Sequence, residues 1–177
     1  MEFQDTRNEH FMRLYEPHHA SAMAYARRLT GNDDKARDLL QDSLEIALRS
    51  FAGLRNAGSF KPWFYRVMRN RHLNKARRAK LASRFNFSFD IERGAGIDES
   101  AVERAHLFAA LDQLSPEQRE ALILFEVEGL SVKDIAMVQG RSAAAVKYRL
   151  RRGRQKLTDA YFSDAPPSAK AVPVKDD

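Results

Sequence analysis

Between Asp134 and Asp159 the chain carries no acidic residue, while Arg141, Lys147, Arg149, Arg151, Arg152, Arg154 and Lys156 supply seven cations. Side chains of this kind make no covalent chemistry by themselves. They neutralise phosphates and, in the case of arginine, grip a guanine edge with two parallel hydrogen bonds. Their spacing gives the cations a direction. At about 100° per residue, Tyr148, Arg151, Arg152 and Gln155 project from one helical face, flanked by Lys147, Arg149, Arg154 and Lys156. Val146, Leu150, Gly153 and Leu157 follow one another at steps of four, three and four, which makes the opposite face apolar. Such a helix can lie in a major groove with its apolar side against its own domain.

The preceding residues supply what would hold it there. Ser131 is placed to cap a short helix whose inward residues are Ile135, Ala136 and Val138. Gly140 allows the tight turn, and Ser142 caps the basic helix. Two helices about a glycine turn read as a helix-turn-helix. A solvated basic helix and an RNA-binding arm are the competing readings. Because cap, turn and charge polarity coincide, double-stranded DNA is the stronger one.

A second cationic block lies upstream. From Ile46 to Phe89 there is no Asp or Glu against eleven Lys or Arg, whereas Glu2 to Glu45 holds nine acids. Two acid-free blocks imply two separate nucleic-acid contacts. A helix from Asp33 or Asp34 to about Phe51 buries Leu40, Leu44, Ala47 and Phe51. Asp38, Asp42, Glu45 and Arg49 fall on its far side, with Gln41 at the margin. This acidic ridge is either a solvated face or a dock for a basic protein. After Ser59, a plausible cap, Phe60, Trp63, Phe64 and Val67 recur at helical spacing. Tyr65, Arg66 and Arg69 are expected to point outward. Aromatics among cations can stack on unpaired bases, but the periodicity favours Trp63 and Phe64 as core.

The remaining pattern is helical throughout. Residues 9–29 predict a helix interrupted at Pro17. His18 and His19 stand beside Glu16, but adjacent helical side chains diverge and no third ligand is near, so no metal site is expected. A basic helical piece follows His72, from Leu73 to about Leu81. Residues 82–98 lack a period and read as a flexible linker, with Phe85, Phe87 and Phe89 as contacts along it. Glu99 to Leu114 predicts an amphipathic helix. Ser115, Pro116 and Gln118 spell a capped start, and Leu122, Phe125 and Val127 continue that helix to Gly129. Residues 163–177 are expected to be a disordered tail. The fold class is therefore all-α, two small helical domains joined by a flexible linker, the second a helix-turn-helix. The boundaries are 1–81, 82–98, 99–162 and 163–177.

Composition excludes other classes. A net charge of +6 favours polyanions, and with no cysteine there is neither a disulfide frame nor a thiolate metal site. The N-terminus has no basic-then-apolar leader, and no apolar run approaches membrane-spanning length, so a cytoplasmic chain without membrane insertion is expected. There is no glycine-rich phosphate loop, no nucleophile–base constellation and no metal-spaced cluster, so neither an enzyme nor a cofactor is expected.

Three motifs in order give this chain a resemblance to bacterial RNA polymerase sigma factors of the extracytoplasmic-function group. DKARDLLQDSLEIALRSF is similar to the helix with which that family docks on the clamp helices of core RNA polymerase. FKPWFYRVMRNRHLNKARR resembles its promoter-melting and −10-recognition segment. The stretch from Leu114 to Leu157 resembles its −35-binding domain. The resemblance implies that Asp38, Gln41 and Asp42, with Glu45 of the same ridge, face the polymerase. It implies that Asn70 opens a loop capturing a base flipped from the −10 strand, with Arg66, Arg69, Arg71, His72 and Lys75 around it. It places Lys147, Tyr148, Arg151 and Arg152 in the −35 groove, with Ser142, Arg149 and Arg154 beside them. An anti-sigma factor wedged between the domains is the implied regulator. The alternatives are an ordinary helix-turn-helix regulator, and a sigma-like protein that sequesters an anti-sigma factor and would have lost its DNA-facing cations.

Overall fold

The structure is a computed structural model and describes residues 2–51, 57–82 and 109–164; among these there is helix and turn but no strand. Helix α1 spans Glu2–Tyr15, beginning seven residues before the period expected at 9–29. Pro17 does break the run, inside a 3-10 turn at Glu16–His18, because it offers no N–H to continue the ladder. Helix α2, His19–Thr30, ends on Gly31 at φ 63°. Helix α3, Asp33–Ser50, starts on Asn32, whose side chain accepts from the Lys35 N–H at 3.0 Å.

After a 3-10 turn at Ala57–Ser59, helix α4 runs unbroken from Phe60 to Ala82. Phe11, Tyr15, Phe51, Phe60 and Phe64 pack edge-on and stacked around its first turns. Each is buried, and full burial of such a side chain contributes about 1.5–3 kcal/mol. Phe64 is core as expected, and Trp63 packs half-buried at its edge.

The second half begins, within the described residues, at 109–112, followed by α5 at Pro116–Leu122. The capping box is complete: the Gln118 N–H donates to Ser115 Oγ at 3.3 Å, and the Ser115 N–H to Gln118 Oε1 at 3.1 Å. Where the sequence pattern continued the α-helix through Phe125 and Val127, the chain widens into a π turn at Ile123–Val127. The extra residue rotates Val127 off the apolar face, and it is exposed. Helix α6, Val132–Gln139, and helix α7, Ala143–Asp164, complete the fold. Ser131 and Ser142 cap them, and Gly140 makes the turn at φ 61°. α7 packs so near α5 that a Cβ on Gly153 would stand 2.9 Å from Leu122 Cδ1. It also extends two residues into the expected tail. The expected linker beyond Ala82, with Phe85, Phe87 and Phe89, the helix start at Glu99 and the tail beyond Asp164 lie outside the described residues. None of the described helices is long and apolar enough to cross a membrane.

Candidate nucleic-acid interface

Helix α7 sorts its cations by their partners. Val146, Leu150 and Gly153 face α5 and α6 in the core, as their spacing required. On the far side Lys147, Tyr148, Arg151 and Arg152 are exposed. Among the described residues no ion pair engages Lys147, Arg151 or Arg152, and the Arg151 guanidinium lies 6.0 Å from the Tyr148 ring centre. Four adjacent side chains thus present three unneutralised charges and one aromatic face to solvent. The two flanking arginines differ. Arg154 donates to Glu126 at 2.7 and 3.1 Å and stands 5.1 Å over the Phe125 ring, which ties α7 to the π turn. Arg149 is half-buried and donates to Gln139 Oε1 at 2.6 Å. Burial lowers its pKa below the usual arginine value. It looks into the protein rather than outward. Ser142, at the exposed entrance of α7, is occupied as a cap.

Three cations rim a groove of about 460 Å³ beside α7: Lys147, Arg151 and Arg154, over a floor that includes Phe125, Val132 and Leu150. A phosphate backbone following this helix would meet charge on that edge before reaching the Tyr148 face.

On α4 the expected contact residues divide in a similar way. Arg66, Asn70 and Lys75 are exposed. The resemblance puts a loop at Asn70, but Asn70 lies inside α4. No proline or glycine follows Pro62 in this helix, and one Asn costs well under 1 kcal/mol there. Arg71 donates through Nε and Nη2 to Asp42 Oδ2 at 3.1 and 2.8 Å. His72 is half-buried, and burial with the nearby Arg69 and Lys75 lowers its pKa.

The outward placement of Tyr65 and Arg69 is corrected by the structure. Tyr65 is fully buried, and the Arg69 side chain is only 11% exposed. Both face the second half of the chain. Arg69 Nε meets both oxygens of Glu120 at 3.0 Å, and the Tyr65 hydroxyl donates to Glu128 at 2.9 Å. Burial, chiefly, pushes the Tyr65 pKa well up. The sequence signal was available but ambiguous: a Tyr and an Arg four residues apart suit a solvated face as well as a second packed one.

The acidic ridge is where α3 was expected to put it. Asp38, Gln41 and Glu45 are exposed, and Asp42 is about a third exposed beside Arg71. Glu45 accepts from Arg49 at 3.3 Å, a surface pair of little energetic weight. Two residues that the sequence did not mark as important are Glu120 and Gln139, both buried and polar. Gln139 Nε2 donates to Glu120 Oε2 at 2.9 Å. Its carbonyl takes Arg149, so a hydrogen-bonded chain runs from α7 to α4. The His18 and His19 rings are used in packing, against Phe60 and with the Tyr15 hydroxyl.

Comparison with known proteins places this geometry. The family described as Sigma-70 region 2 matches residues 14–81, and that described as Sigma-70, region 4 matches residues 104–157. The ECF RNA polymerase sigma factor EcfG of Rhodopseudomonas palustris is 31% identical over 147 residues, covering 81% of this chain and 81% of that protein. The ECF RNA polymerase sigma factor SigE of Mycolicibacterium smegmatis is 33% identical over 155 residues, covering 82% of this chain but 59% of SigE. Among solved structures, the sigma factor RpoE of Bartonella quintana, in complex with the anti-sigma factor NepR, superposes with a TM-score of 0.64 at 28% identity. That match covers 92% of this chain and 99% of RpoE.

Proposed function

The chain belongs to the extracytoplasmic-function group of RNA polymerase sigma factors, and from this we propose that it binds core RNA polymerase, recognises the −10 and −35 promoter elements and directs initiation. The observation that carries the reading is the outward face of α7. Lys147, Arg151 and Arg152 are exposed, with no acid paired to them among the described residues, on a helix whose cap and turn fix its orientation. A sequestering mimic has no use for such a face.

In this reading residues 1–81 hold the polymerase and the −10 strand, and residues 99–162 hold the −35 duplex. Asp38, Gln41, Asp42 and Glu45 meet the clamp helices through charge complementarity. Arg66, Asn70 and Lys75 are exposed on α4 and open to melted DNA, with Arg69, Arg71 and His72 joining once their present partners release them. Tyr148, Arg151 and Arg152 reach base edges, and Lys147 takes a phosphate. Ser142, Arg149 and Arg154 set the pose of α7. The factor itself breaks no bond; nucleotide addition belongs to the polymerase. An anti-sigma factor is the expected regulator, as in the RpoE complex, and the expected compartment is the cytoplasm.

Run-off transcription with core polymerase over a promoter library tests this. Asp38→Arg reverses an exposed charge that has no ion-pair partner among the described residues and is expected to abolish co-elution with core while leaving helicity intact. Arg152→Ala is expected to keep core binding and cost about 1–3 kcal/mol on promoters with a matched −35 element. Equal loss on scrambled −35 elements makes Arg152 a phosphate contact. A wild-type chain, free of any inhibitor, that never co-elutes with core would overturn the function.

A further inference from the structure

Lys61, Tyr65 and Arg69 lie at steps of four along α4 and form a stripe separate from its aromatic face. Two carboxylates of the second half meet that stripe in antiparallel order. Glu128 takes Lys61 Nζ at 3.0 Å as well as Tyr65, and Glu120 takes Arg69. Helix α2 closes each node from the other side: Arg28 donates to Glu128 at 2.7 Å, and Tyr25 to Glu120 at 2.9 Å. Between the nodes the Tyr25 and Tyr65 rings stack with centres 4.4 Å apart and planes 4° from parallel. The Glu120 side chain is wholly buried and that of Glu128 is 5% exposed.

We propose that Glu120 and Glu128 form a latch between the two halves, with Glu120 holding Arg69 as a promoter phosphate would, so that the free chain is shut against the melted −10 strand. The proposal rests on the reading of Arg69 as a −10 residue. Three features support it. The cations, Arg28, Lys61 and Arg69, all belong to the first half, and both acids to the second. Separation therefore takes each set of charges intact into water, and Glu120 keeps Gln139 from its own half. Buried ion pairs also gain little net over water, so a seam closed by them can reopen, unlike one closed by apolar side chains alone. Finally, three cations against two acids leave a positive surface on α2 and α4 once the seam parts. It lies on the helix that also carries the exposed Arg66 and Lys75, and it has the sign a DNA strand requires.

The chain has no cysteine, so Arg37→Cys on α3 and Lys133→Cys on α6, both exposed, accept two spin labels and nothing else does. Double electron–electron resonance then reads the separation of the halves. Anisotropy reads binding of the free chain, without polymerase, to a fluorescent random 12-nucleotide single-stranded DNA pool. Glu120→Gln, alone and with Glu128→Gln, is expected to lengthen the label distance. It is also expected to tighten DNA binding by about tenfold or more, since a mostly closed population weakens apparent affinity by its competent fraction. Glu9→Gln removes the same charge from α1 and is expected to change neither. An unchanged distance in folded Glu120→Gln and double-Gln chains overturns the latch. A longer distance with unchanged DNA binding overturns the masking and counts against Arg69 as a −10 residue, while leaving the run-off result to judge the sigma function. If Glu120→Gln fails to fold, the Arg69→Gln, Glu120→Gln pair leaves no lone buried charge; a wild-type distance in that pair overturns the latch equally.

Discussion

Gly140 holds φ at 61°, and nothing lies within 4 Å of where its Cβ would be. The cost of Gly140→Ala is therefore the left-handed backbone alone, about 1–2 kcal/mol, read as a lower urea midpoint with unchanged −35 specificity. Histidine supplies a pH test. Burial lowers the pKa of His72, with Arg69 and Lys75 adding to it, and lowers that of His18, with Lys61 adding. Protonation then favours the unfolded chain. Their stabilising contribution is complete above about pH 6.5 and is lost as pH falls below it. Urea melts at pH 7.5 and 5.5 are expected to differ less in His72→Gln than in wild type. At this scale the sequence was most legible where one residue type answers one local need. Ser115, Ser131, Ser142 and Gly140 each do what their neighbours demanded. Tyr65 and Arg69 face inward against the sequence expectation because amphipathic side chains satisfy either environment, and only the opposing carboxylates decide.

Among elements, α4 and α5 carry the lesson. One apolar stripe was visible on α4 at Phe60, Trp63, Phe64 and Val67, and a helix with one stripe has its other side in water. This one has two packed sides, because Glu120 and Glu128 make a polar stripe buriable. The π turn was equally hidden: ILFEV is apolar enough to continue a helix of ordinary pitch. Its signature is structural, in the Glu128 N–H reaching back five residues to Ile123 O at 3.0 Å. Ser115→Ala removes half of the reciprocal cap on α5 and is expected to cost about 1 kcal/mol. Because α5 carries Glu120, the same substitution is expected to increase amide exchange on α2 and α4 as well as on α5 itself. Exchange confined to α5 would show that the two halves open independently.

For the molecule as a whole, the order of the halves and their charge asymmetry were readable, but not their contact. Composition and period describe each segment against an anonymous interior; they do not say which distant segment supplies it. Polymerase binding offers the remaining test. Asp42 belongs to the exposed ridge of α3 and also accepts both Arg71 hydrogen bonds through one oxygen. Arg71→Ala is expected to strengthen core binding by up to about 1 kcal/mol, measured by competition titration against wild type, because it relieves the ridge of an internal rival. On the proposed reading of the two residues, an enzyme cation that claimed Asp42 would hand Arg71 back to the template. Arrival at the polymerase and readiness for the strand to be unwound would then be a single event, timed by one carboxylate changing hands.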